Sequence, residues 1–232
     1  MSCRRNGRAQ NDPNAGGMRK PDQSPEIPEL SAIADDCWFA DFASGSGPMA
    51  VRALMSAHVE INAEAAERAA LVNAVAAEIA LSDIASTFGS PEIAAVADSS
   101  AVSTADPVYP AALAHLGFSS AVRPWRSHLG GVSARKVKRL CEPGVDARLF
   151  RFEPGAAIPK HDHAGDELTL VLSGGFADEN GIYHRGDVST GRAGEPHQPM
   201  GLPGEPCICF AVSVGGYRFR NPLMALAARW LS

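Results

Sequence analysis

The chain has 232 residues, 45% of them hydrophobic, a net charge of -5 and five cysteines. That length and apolar content suffice for one large or two small domains with a real core, and the acidic balance argues against a nucleic-acid binder working through bulk charge. Cys3, Cys37, Cys141, Cys207 and Cys209 form no disulfide-like framework, no apolar run approaches the ~18 residues that span a membrane, and no secretory signal leads the chain, so a soluble cytoplasmic protein is expected.

Residues 1–30 are rich in Gly, Pro, Asn and Arg and lack the apolar material to fold alone, which predicts a disordered tail. From 31 to 87 the composition turns alanine-rich with helical periodicity. Pro48 suits the first turn of a helix. Val51, Leu54, Met55 and His58 then recur at three- and four-residue steps, and beyond Asn62, a good N-cap, Leu71, Val72, Val75 and Ile79 make a second apolar stripe. Two or three short helices are predicted. Gly, Pro, Ser and Asp mark 88–110 as a linker. In 111–232 the signals are β: the run Ala147 to Phe152, a turn at Asn180-Gly181, and the run Cys207 to Ser213. A helix from Pro222 to Leu231 is expected to cap this part.

The chemistry concentrates in the segment from Gly155 to Gly174 and in His197 downstream. Residues two apart on a strand share a face, so His161 and His163 aim at one point while Asp162 turns away. Gly165 permits a turn, and the next strand, Glu167 to Leu172, starts with its carboxylate on the same interior. The stretch from Gly186 to His197 brings a third imidazole from a later strand. Three imidazoles and a carboxylate, His161, His163, Glu167 and His197, are the ligand set of one divalent metal, and ligand type alone leaves iron, manganese, nickel and zinc open.

These residues resemble the cupin superfamily. Its first motif, G-x5-H-x-H-x3-E-x6-G, is matched without a gap from Gly155 to Gly174, and its second at Gly186, Gly194 and His197, with Arg192 in place of Pro and Gly201 in place of Asn. The resemblance implies a mainly β fold with a helical N-terminal segment, the barrel being a cupin double-stranded β-helix or jelly roll. The layout is further similar to the ChrR family of anti-sigma factors, through Glu167-Leu-Thr-Leu-Val-Leu172, Gly186-Asp187, Cys207-Ile208-Cys209, and Phe42-Ala-Ser-Gly45 followed by His58. That family implies an extracytoplasmic-function (ECF) sigma factor as partner, a signal-responding cupin and zinc in the barrel. It also implies an N-terminal zinc held by an upstream His and an H-x3-C-x2-C pattern. Here those positions hold Ile33, His58, Asn62 and Ala65, so the N-terminal zinc is expected to be absent, and His58 reads as a polar residue on a helix face.

Two classes of function follow. A regulator hides a sigma factor against an exposed apolar stripe, for which Leu54, Met55, Leu71 and Val75 are candidates. A metal-dependent enzyme uses open coordination positions for dioxygen or Lewis-acid chemistry and needs a further acid or base, with Tyr183, His184 and Glu195 as candidates. Cys207 and Cys209 read as small buried residues, and Arg135, Lys136, Lys138 and Arg139 as a solvated basic edge.

Overall fold

The alanine-rich stretch forms three helices, α1 (Asp36–Ala43), α2 (Met49–Ile61) and α3 (Ala63–Thr87), in a computed structural model that describes residues 33–87, 106, 108–119, 125–127, 130–215 and 217–218. The expected tail, most of the expected linker and the expected helix at Pro222 to Leu231 lie outside the described residues. Pro48, extended at φ -60° and ψ 147°, sits immediately before α2. At the next break the backbone of Asn62 opens to φ -126°, and its Oδ1 accepts from the Ala65 amide at 3.0 Å, an N-cap for α3. The expectation of short helices fails for α3, which runs 25 residues. Alanine has the highest helix propensity and no Gly or Pro interrupts this run.

The two apolar stripes have different fates. Leu54 and Met55 of α2 are buried, as are Val51 and His58, so half of the expected exposed stripe is core. On α3, Ala65 and Ala69 face inward, and Val72 packs at the edge of the core. Every residue from 73 to 80 is then exposed, with Leu71 at 57%, Val75 at 52% and Ile79 at 58% on one helical face. Among the described residues no helix is long and apolar enough to cross a membrane.

Beyond a short helix, α4 (Ala111–Ala114), the chain turns to strands β1 (Arg126–Ser127), β2 (Val132–Lys136), β3 (Val145–Phe152), β4 (Asp162–His163), β5 (Glu167–Ser173), β6 (Gly175–Ala177), β7 (Ile182–His184), β8 (Val188–Gly191), β9 (Met200–Gly201), β10 (Cys207–Val214) and β11 (Tyr217–Arg218), with one 3-10 turn at Lys138–Leu140. Six strands in the order β1-β2-β3-β10-β5-β8 form the large sheet, β7-β6-β9 a second and β11-β4 a third, all antiparallel. This is the expected cupin-like arrangement of a β barrel preceded by helices. Alternation sorts the large sheet into two buried faces. Leu149, Leu168, Leu170, Phe210 and Val212 face the helices and share one core with Phe39, Leu54 and Met55. Phe150, Phe152, Val171, Cys209 and Ala211 face the barrel interior, against Phe176 and Tyr183. A sheet covered on both faces explains why β5 and β10 read as near-continuous apolar runs.

The helices are also tied to the barrel by polar contacts. His58 is completely buried; its Nδ1 lies 2.8 Å from the Gly186 carbonyl oxygen, and its Nε2 faces the Ala34 amide at 3.3 Å. Asn62 Nδ2 donates to the same Gly186 carbonyl at 3.2 Å. Gly186, at φ +95°, brings its backbone so close that a Cβ there would lie 3.1 Å from the Ile61 carbonyl oxygen, which explains the glycine. Glu60 accepts from the amides of Ala111 and Ala112 at 2.6 and 2.8 Å, and the Met49 amide donates to Glu142 at 3.1 Å. The residues at the end of the expected linker belong to the folded body as well, since Tyr109 is buried.

Candidate metal centre

Four side chains from three stretches of chain meet inside the barrel. His163 ends β4, Glu167 begins β5, and His161 and His197 face each other in a bridge of their own, each amide donating to the other's carbonyl at 3.1 and 2.9 Å. His197 was expected from a later strand; it comes from this isolated bridge, because the two-residue contact is too short to extend a ladder. One ligand atom from each of His161, His163, Glu167 and His197 lies within 4.8 Å of all the others, and all four residues are buried. His163 Nε2 is 2.9 Å from His197 Nε2 and 3.5 Å from Glu167 Oε2. Ligands bound at about 2.0–2.2 Å to one ion lie roughly 3 to 3.5 Å apart, so these residues fit a divalent metal.

The surroundings orient the rings. His161 Nδ1 is 3.0 Å from the Pro159 carbonyl oxygen, which places the proton on Nδ1 and leaves Nε2 for a ligand bond. His197 Nδ1 is 3.2 Å from Asp178 Oδ2, the carboxylate-to-imidazole contact common behind metal-binding histidines. Asp178 escaped the sequence reading because it lies in a different hairpin, 19 residues away. Gly191, opposite Glu167 on β8, leaves room for the rings, since a Cβ there would lie 3.3 Å from His163 and 3.5 Å from His197.

Burial pulls the pKa of His161 down to about 4, against the opposing pull of Glu167. Burial and the neighbouring His197 do the same for His163, also to about 4. Both imidazoles are therefore neutral near pH 7, the form that ligates. His197 differs: burial lowers it, but the hydrogen bond to Asp178 and the charge of Glu167 outweigh burial and raise it. Asp162, expected to turn away from the cluster, is buried rather than in solvent.

Residues 114–214 match the family model described as the ChrR cupin-like domain. The anti-sigma-E factor ChrR of Cereibacter sphaeroides is 37% identical over 123 residues, which is 53% of this chain and 57% of that protein's length. A chain from the crystal structure of Rhodobacter sphaeroides SigE in complex with the anti-sigma ChrR superposes with a TM-score of 0.60 and 27% identity, over 78% of this chain and 97% of that one. Residues 114–214 carry a cupin domain of the ChrR type, and the chain spans a little over half the length of the curated relative it matches.

In this ChrR-like cupin the two departures from the second motif have distinct consequences. Arg192 leaves the barrel to pair with Asp35, just before α1, and lies 3.6 Å from Asp166, so it adds to the seam with the helices. Gly201 lies on β9, where a Cβ would sit 2.8 Å from the Glu153 carbonyl oxygen. The expected helix-face role of His58 is corrected: it is the buried centre of that seam, and both its ring nitrogens are engaged. Of the acid-base candidates, Tyr183 stacks on Phe176 at 4.9 Å in the inner core, while His184 and Glu195 are exposed. Cys207 and Cys209 are buried in that inner core, and the hydrogen bond of the Cys209 thiol to Cys207 together with burial raises its pKa well above the ordinary value. The basic cluster is more braced than a solvated edge: Lys136 pairs with Asp146 at 3.0 Å, and the Arg135 and Arg139 guanidinium groups lie 5.6 and 5.8 Å from the Trp125 and Phe118 rings.

Proposed function

We propose that this chain is an anti-sigma factor of the ChrR kind, in which the helical segment holds an ECF sigma factor and the cupin, carrying one divalent metal on His161, His163, Glu167 and His197, responds to a signal. The observation that carries the reading is the outer half of α3. Residues 73–80 are all exposed, yet Leu71, Val75 and Ile79 make an apolar face there. Helices in proteins draw most of their stability from packing an apolar face, and the stripe left exposed on this half of α3 is suited to docking. The superposed chain comes from a complex of SigE with ChrR, which supports the same kind of partner.

The two cysteine positions that the resemblance implies in the helices hold Asn62 and Ala65. Where the family pattern asks for a zinc-binding histidine and two cysteines, His58, Asn62 and Ala65 instead close the seam to Gly186, cap α3 and fill its inner face. Three imidazoles and a carboxylate supply a metal-binding set that favours zinc where the family resemblance holds, and a bound metal would contribute Lewis acidity and a cross-link between β4, β5 and the His161 to His197 bridge. The test is co-expression of the chain with ECF sigma factors followed by affinity purification. A one-to-one complex that Val75→Asp together with Ile79→Asp abolishes supports the reading; purification without any sigma factor, or a complex indifferent to those substitutions, contradicts it.

A further inference from the structure

The inner face of the large sheet is apolar at one end and polar at the other. Phe150 and Phe152 of β3 belong to the inner core, so alternation brings Arg148 and Asp146 out on the same inner face. Arg148 is only 5% exposed and pairs with Asp146. The same carboxylate takes Lys136 at 3.0 Å, so two cations share one anion. Burial opposes the charge on Asp146, but hydrogen bonds from Arg148 and Lys136 prevail and hold its carboxyl below the ordinary range.

Two buried polar atoms stand out at this end. Nη1 of Arg148 and Oγ of Ser213 find no hydrogen-bond partner among the described residues. Ser213 is fully buried on β10, paired with Asp146 of β3 on one side and with Glu167 of β5 on the other, which puts it in the same layer as the metal-ligand cluster. Arg148 lies one layer deeper, opposite Ala211, whose own neighbour across the sheet is Thr169. Thr169 also faces inward, in mid-strand, and yet remains partly exposed between buried Leu168 and Leu170. Leaving a buried donor unsatisfied is destabilising, more so for a charged group, so two of them at this end of the inner face mark a place shaped for a polar guest.

We infer that the barrel binds a small monocarboxylate beside the metal centre, its oxygens accepting hydrogen bonds from Arg148 Nη1 and Ser213 Oγ. The spare donor on the planar guanidinium fork of Arg148 favours a carboxylate, and the neighbouring side chains on this face, Ala211 and Thr169, are small, which favours a short one. This rests on the metal reading only for what lies next to the guest, because both hydrogen-bonding residues are distinct from the four ligands.

Isothermal titration calorimetry on the full chain tests it, with cobalt(II)-loaded and metal-free protein titrated with acetate and, as the neutral isostere, acetamide. Saturable one-to-one binding of acetate and none of acetamide is expected. Arg148→Gln should weaken acetate by about tenfold or more while cobalt stays at one per chain, and Ser213→Ala should weaken it by about threefold or more. No saturable acetate heat with either form up to ~50 mM, or equal affinity in wild type and Arg148→Gln, overturns the inference. Should Arg148→Gln fail to fold by circular dichroism, Ser213→Ala decides, and an unchanged affinity there also overturns it. A chain that takes up no cobalt defeats the metal reading instead, and the acetate titration of metal-free protein then settles the carboxylate position by itself.

Discussion

The barrel and the helices use the positions at which the resemblance implies metal ligands in opposite ways. In the barrel the four side chains His161, His163, Glu167 and His197 converge with the spacing of a metal site, and even their supporting contacts to Pro159 and Asp178 are in place. In the helices the positions at which the resemblance implies zinc ligands hold His58, Asn62 and Ala65, which pack and hydrogen-bond instead. The difference teaches that a ligand residue is informative only with its partners: His161 in its set reads as chemistry, while His58 alone is architecture.

The comparison breaks most decisively at the barrel. Replacing one ligand, as in Glu167→Ala, should abolish stoichiometric metal binding measured by elemental analysis, and Asp178→Asn should keep the metal but weaken it by about 10–100-fold in a chelator competition. In the helices the largest effect is on stability instead. Leu54→Ala, at a fully buried position facing the sheet, should destabilise by about 2–5 kcal/mol in urea unfolding with metal content unchanged.

His58 predicts a pH dependence. Burial lowers it from the ordinary 6.5 to about 4, despite the hydrogen bond to Gly186. The unfolded chain therefore binds a proton between pH 6.5 and 4 that the folded chain does not, so its contribution to stability is complete above pH 6.5 and is lost as pH falls through that window. The total is about 3 kcal/mol, and urea unfolding of wild type against His58→Asn across the window should show a shallower slope in the variant. Smaller still, Asn62→Ala should cost about 1 kcal/mol through loss of the α3 cap. The smallest stability change belongs to Val75→Asp with Ile79→Asp, within about 0.5 kcal/mol per site because both are exposed, although sigma binding should disappear.

Much of this was legible because β structure repeats every two residues. The pair His161 and His163 and the start of β5 at Glu167 follow from alternation and a turn, and the Asn62 cap follows from local side-chain chemistry. What sequence reading missed lies in long-range register. Nothing local distinguishes the two faces of Ala147 to Phe152, because helices cover one and the barrel interior the other, so Arg148 gave no sign of pointing inward. Arg192 looked like a loop substitution, and its partner Asp35 lies 157 residues away. The exposed and buried apolar stripes of α2 and α3 were indistinguishable for the same reason: periodicity reports a face but not what covers it.

The most direct test of the account is metal counted per chain in protein purified without added chelator, beside His161→Ala prepared identically. One equivalent of a divalent metal in the wild type, and near none in the variant at equal helical and β content, is the predicted result. A wild-type chain that stays metal-free after reconstitution, or a variant that keeps its full equivalent, contradicts the claim that these four side chains share a single ion.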